Sequence, residues 1–182
     1  MIYMGVDPGT LTISAAVLQK AEGRPPIVLA VEVIRPSEIT KDKLRWRTTE
    51  MCVQAMYLGS LAQQHSVRHA VVEGQHFFDR KKDPQDIILL AAVAGACICG
   101  LTAYVQPGSS APSVRYAEAG EWSKMDKKTR ANRVRELYMK GTVEKKEIEK
   151  MTGKLDGREY LDCIDAIGMA YWELIGAPRS GI

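Results

Sequence analysis

Alternation of apolar and polar positions divides this chain into strands first and helices later. Met1 to Val6 is a compact apolar run that ends at Asp7-Pro8-Gly9, a turn signal. Ile13 to Gln19 and the Val- and Ile-rich stretch Ile27 to Ile34 read as two further strands. The turn Glu22-Gly23-Arg24-Pro25-Pro26 joins them, so an antiparallel meander opens the fold. From Lys43 to Gln64 the period changes, with Leu44, Met51, Ala55, Leu58 and Leu61 at helical spacing. His69 to Glu73 is a buried strand, Pro84 to Leu101 an apolar helix, and Ala103 to Gln106 the expected last short strand. Pro107 to Ser113 reads as a loop. Two charged helical stretches follow, about Lys124 to Met139 and Glu144 to Met151, then a final helix from Gly157 to about Ile175. Three meandering strands followed by crossover units predict an α/β fold, a mixed five-stranded sheet with helices on both faces.

A length of 182 residues suits one well-buried core and is short for two, so residues 1–182 are expected as one domain. With 46% apolar and 26% charged residues, the composition is that of a soluble globular protein. No basic segment followed by a long apolar stretch opens the chain, which argues against a secretory signal. Ile87 to Tyr104 is uncharged and nearly long enough to span a membrane. Its Ala, Gly and Cys content and the polar flank Asp79-Arg80-Lys81-Lys82-Asp83 favour a buried helix instead, and no membrane association is expected. Cys52, Cys97, Cys99 and Cys163 sit in apolar contexts without a second ligand cluster for zinc. They read as small buried hydrophobes in a reducing cytoplasm.

Four acids occupy positions awkward for charge. Asp7 ends the first strand, Glu73 ends the fourth, and Asp162 and Asp165 lie three apart on the last helix, bordering its sheet-facing stripe. If the first and fourth strands are neighbours, Asp7 and Glu73 project from adjacent strand ends, where α/β sheets gather ligands. Taken singly, each has a plain alternative: Asp7 as a turn residue, Glu73 as a surface acid, the helix pair as solvated. Their joint placement points to cations, because unpaired buried carboxylates are costly. Two magnesium ions would offset about −4, and oxygen-only ligands favour magnesium, with manganese able to substitute. Two metals roughly 3.5–4 Å apart can activate a water and stabilise the leaving oxygen of a phosphodiester.

The motifs around these acids resemble the RuvC-type Holliday-junction resolvases of the ribonuclease H-like superfamily. Met4-Gly5-Val6-Asp7-Pro8-Gly9-Thr10 is similar to their opening. Val71-Val72-Glu73-Gly74-Gln75, followed by aromatic residues, a basic loop and a small-residue helix, is similar to the second acidic motif. Leu161 to Ala170, with Asp162 and Asp165 ahead of Ala166, resembles the terminal one. The resemblance covers most of the chain in order. It implies a ribonuclease H-like fold, a homodimer joined near Ile87 to Leu101, and Asp7, Glu73, Asp162 and Asp165 as ligands of two Mg²⁺ ions. It further implies paired symmetric nicks in four-way DNA, with no small-molecule cofactor. The location it implies is the cytoplasm of a bacterial cell, or of a host when the gene belongs to a phage. Two departures stand out: Gly74 occupies a place where bacterial members commonly carry a polar residue, and a long charged insert precedes the final acids.

Duplex DNA carries one negative charge per ~1.7 Å of axis, so such a nuclease needs positive charge beside its acids. The formal total is only +3, yet Lys124 to Lys140 alone contains seven basic residues against two acidic ones. Lys124, Lys127, Lys128, Arg130 and Arg133 are therefore candidate DNA contacts, as are Arg80, Lys81 and Lys82 shortly after Glu73. Phe77 and Phe78 are the only phenylalanines. Adjacent strand residues point to opposite faces, so a one-sided core cannot take both, and one is expected to act as a wedge at the branch point, with Phe77 favoured. Three rival readings exist. Asp7-Pro8-Gly9-Thr10 also matches the phosphate loop of actin- and sugar-kinase-like ATP-binding proteins, but the chain is short for their two domains. A binding-only module is disfavoured by four carboxylates that would repel DNA. Another ribonuclease H-like nuclease, acting on forks or RNA–DNA hybrids, shares the same acids.

Overall fold

A computed structural model describes residues 1–37, 44–74, 84–103, 110–118 and 145–175. Its strands are β1 (Ile2–Asp7), β2 (Ile13–Gln19), β3 (Ile27–Ile34), β4 (His69–Gly74) and β5 (Ser113–Glu118). They form one mixed sheet in the order β3-β2-β1-β4-β5. The opening meander pairs antiparallel, whereas β4 lies parallel to both β1 and β5. The described helices are α1 (Leu44–Ala55), α2 (Leu58–Gln64), α3 (Pro84–Ala103), α4 (Lys145–Thr152) and α5 (Gly157–Leu174). This is the mixed α/β architecture that the order of strands and helices predicts.

Two apolar layers explain why the inner strands read as unbroken hydrophobic runs. On one face Met4, Val6, Ile13, Ala15, Val17, Ala70 and Val72 pack with Met51, Ala55, Val93 and Cys97 of α1 and α3. On the other, Ala16, Leu18 and Val31 pack with Ile148 of α4 and with Cys163, Ile164, Ile167 and Ala170 of α5. Met169 extends this second layer to Val71 and Ala117.

Helix α5 lies against β1 almost backbone to backbone. A methyl group added at Gly5 would collide with the carbonyl oxygen of Ala166 and come within 2.7 Å of the Ala170 amide nitrogen. Only the absence of a side chain on Gly5, opposite the small residues Ala166 and Ala170, permits this approach. The helix runs antiparallel to the strand: Asp162 reaches Thr12 beyond the end of β1, and Ala166 and Ala170 cross over Gly5.

Three expectations are corrected. The helix expected from Lys43 to Gln64 is two helices, because Met56 and Tyr57 donate to carbonyls only three residues back, Val53 and Gln54, and tighten the chain into a turn. Gly100 of α3 crosses at that turn, its Cα hydrogen aimed at the Ala55 oxygen and Met56 Cα. The last strand is Ser113–Glu118 rather than Ala103 to Gln106: Ala103 closes α3, and residues 104–106 lie outside the described part. Ser-Val-Arg-Tyr-Ala-Glu has little apolar character of its own, and its identity comes from in-register pairing with all of β4. Finally, α3 is buried on one face only. It is long and apolar enough to cross a membrane by length and composition, with about a third of it buried in the protein. Ile88, Ala92, Gly95 and Cys99 are exposed, so Cys99 is not the buried hydrophobe expected.

Gly5→Ala should push α5 off the sheet and cost about 1–3 kcal/mol or more, since the obstacle is backbone and cannot rotate away. Chemical denaturation checks this, with Gly157→Ala, which meets open space, as the control.

Candidate active site

Strand pairing brings the first two acids together. Val6 pairs with Val72 in the parallel ladder, and Asp7 and Glu73 are the next residue of each strand, at the same end of the sheet. Side chains alternate along a strand, so Asp7 shares a face with Gly5, and Glu73 shares one with Val71. Both reference residues contact α5, through Ala166 and Met169. Asp7 and Glu73 therefore face the helix that carries the other two acids.

On α5, Asp162 and Asp165 are buried, at 7% and 1% exposure, and Glu73 is buried at 8%. The solvated alternatives for Glu73, Asp162 and Asp165 are thereby removed; Asp7 is half-buried. The start of the helix is firmly placed. Asp156 caps it, accepting from the backbone amides of Arg158 and Glu159 at 2.8 Å each, while Glu159 accepts from the amide of Asp156. Arg35, just past β3, donates to both carboxylate oxygens of Glu159 and to the Lys154 carbonyl. The Arg35 hydrogen bond, above all, holds the Glu159 carboxyl below its ordinary range, and the same contact raises the guanidinium of Arg35.

Two contacts next to the acids were not anticipated. Thr12 donates its hydroxyl hydrogen to Asp162 Oδ2 at 3.1 Å, and the Cys163 thiol lies 3.9 Å from the hydroxyl oxygen of buried Ser14. Burial pushes the Cys163 thiol up to about 12, so between two acids it stays an uncharged filler. A polar Ser14 within the otherwise apolar opening of β2 was the available signal, and it sits in register with Asp7.

By donor chemistry the acids suit a hard divalent cation: all four offer oxygen, and three are largely buried. Among the described residues, however, no three His, Cys, Asp or Glu side chains are gathered into a ready-made metal cage.

No protein-family model matches the sequence, and neither does any curated protein sequence. Solved structures do match. RuvC of Thermus thermophilus in complex with a Holliday junction substrate has a TM-score of 0.62 at 14% identity, over 97% of each chain. A second structure of Thermus thermophilus RuvC gives 0.61 at 14% identity, over 97% of this chain and 98% of that one. The yeast mitochondrial Holliday junction resolvase gives 0.57 at 13% identity, over 94% of this chain and 80% of its own. The fold is that of RuvC.

Within this RuvC-like fold, Gly74 has a close neighbour. A methyl group there would meet the ring of Tyr116 on β5, an exposed side chain that would have to swing aside to admit it. The candidate DNA contacts Phe77, Phe78, Arg80, Lys81, Lys82, Lys124, Lys127, Lys128, Arg130 and Arg133 all lie outside the described residues.

A carboxylate depressed in the fold contributes stability above its unfolded pKa and loses it as pH falls through the folded one. Glu159→Gln should therefore cost up to about 1 kcal/mol at pH 7, the size of a partly exposed pair. The gap between variant and parent should close below about pH 4, as read by denaturant melts across that range.

Proposed function

We propose that this protein is a divalent-metal-dependent endonuclease that resolves four-way DNA junctions by paired nicks. The observation that carries the reading is that Asp7 and Glu73 end adjacent parallel strands on the face covered by α5, the helix on which Asp162 and Asp165 are buried. Their likeness in order to the RuvC motifs, on a fold of the same kind, supports it. These four residues would hold two Mg²⁺ ions, with Mn²⁺ able to substitute; such ions, when bound, activate a water and stabilise the leaving oxygen. The chain's own part is positional. Rigid strand ends fix the backbones of Asp7 and Glu73, the capped helix fixes those of Asp162 and Asp165, and bound cations would offset the mutual repulsion of the side chains. The basic residues of Lys124 to Arg133 and Arg80 to Lys82 would supply the DNA contacts, and Phe77 or Phe78 the wedge that opens the branch point.

Incubation of the full chain with four-way junction, fork, plain duplex and RNA–DNA hybrid, with and without Mg²⁺, tests the activity. Symmetric nicks in the junction alone, and only with metal, are expected. Preferential cutting of forks or hybrid would instead reassign the substrate within the same fold. Asp7→Asn, Glu73→Gln, Asp162→Asn and Asp165→Asn should each reduce cleavage more than about 100-fold while junction binding persists. A variant with near-normal turnover would remove that residue from the site.

Paired nicks need two active sites, and a homodimer through α3 would provide them. The exposed row Ile88, Ala92, Gly95 and Cys99 is apolar and small enough for a second helix to approach closely. Light scattering should give twice the 20.2 kDa protomer mass, and Gly95→Arg should yield monomers that no longer nick both strands together. Active enzyme at a single protomer mass would overturn the dimer.

A further inference from the structure

We propose that Thr12 is a positioning residue for Asp162, its hydroxyl setting the direction in which the carboxylate presents its oxygens to a cation. The proposal rests on Asp162 being a metal ligand. The torsion that orients an aspartate carboxylate is soft and broad, so the backbone of α5 alone does not determine where the two oxygens point. A fixed donor on one of them does. Thr12 Oγ1 donates to Asp162 Oδ2 at 3.1 Å, across 150 residues of sequence.

Thr12 is itself held. It belongs to the short turn between β1 and β2, which folds back so tightly that a methyl group on Gly9 would lie 2.5 Å from the Thr12 carbonyl oxygen. The turn starts at Asp7 and re-enters the sheet at Ile13, with Asp7 and Ser14 paired across the hairpin. Two residues past Thr12 and one past Asp162 comes a second contact between the same two segments, the Cys163 thiol donating to Ser14 Oγ at 3.9 Å. A single turn of chain therefore carries one acid, Asp7, at its beginning and the donor to another, Asp162, near its end. Asp7 on the sheet and Asp162 on the helix are tied through the stretch from Asp7 to Thr12, independently of the contact at Gly5.

Partners that orient metal-binding side chains from outside typically change metal affinity about 10–100-fold when lost. Mn²⁺ binding to the purified full-length chain, followed by electron paramagnetic resonance of the free ion, gives a readout that does not depend on cleavage. Thr12→Val keeps the shape and removes the donor, so it should weaken Mn²⁺ binding about 10-fold or more. Thr12→Ala, which places no extra methyl group beside Asp162, carries the same expectation should the valine variant fold poorly. Thr12→Ser keeps the hydroxyl and should bind within about twofold of the parent. Melting temperatures without metal should stay close to the parent for all three. Parent-like Mn²⁺ binding by Thr12→Val overturns the proposal, and so does an equal defect in Thr12→Ser. Asp162→Asn separates the two levels of inference. If it weakens binding and Thr12→Val does not, the role of Thr12 fails alone. If Asp162→Asn binds Mn²⁺ as the parent does, or the parent chain binds none, the metal site fails with it.

Discussion

The contact of Gly5 with Ala166 and Ala170 is the constraint on which the rest of the arrangement depends. A helix normally rides on a sheet at a distance set by side chains from both surfaces. Here one surface has none at the crossing point, and the other has only methyl groups. The helix axis sinks toward β1, and residues one turn earlier are carried down beside the strand ends. Asp162 and Asp165 thus become buried on the helix that packs over β1, although nothing in their own sequence neighbourhood compels burial of charge.

Such an arrangement is electrostatically expensive, and the structure meets the cost with local anchoring. The Asp156–Glu159 capping box and the clamp from Arg35 fix the start of α5 about one turn before Asp162. The Thr12 hydroxyl reaches the acid itself. These contacts come from the β1–β2 turn, from the end of β3 and from the helix, so three separate parts of the chain converge on the same turn of α5. Rigid elements hold the carboxylates' backbones, and among the described residues their side chains are not gathered into a cluster.

Much of this was legible in the sequence, and the reasons differ from element to element. β2 and β3 have the spans that their apolar runs indicate, because both strands carry continuous Val, Ile, Leu and Ala bounded by turn residues. α3 and α5 likewise follow from long periodic stretches. The acids could be picked out because each ends a buried strand or borders an apolar helix stripe, where charge is conspicuous. The break at Met56–Tyr57 was not legible, since helical spacing continues through it; the crossing of Gly100 is a tertiary event. β5 was missed for a related reason. Its pattern is weak, and only its ladder with β4 makes it a strand.

The sequence by itself thus determined which segments form the inner sheet and which four carboxylates stand out, because hydrophobic periodicity and misplaced charge are local properties. Only the tertiary structure decided that β1 and β4 are neighbours with Asp7 and Glu73 at one end, and that α5 lies antiparallel over them. It also decided that Thr12 rather than another hydroxyl meets Asp162, and that one face of α3 is left uncovered. Those outcomes depend on distances between residues far apart in the chain, set by the missing side chain at Gly5 and by strand register, and no local pattern encodes a distance.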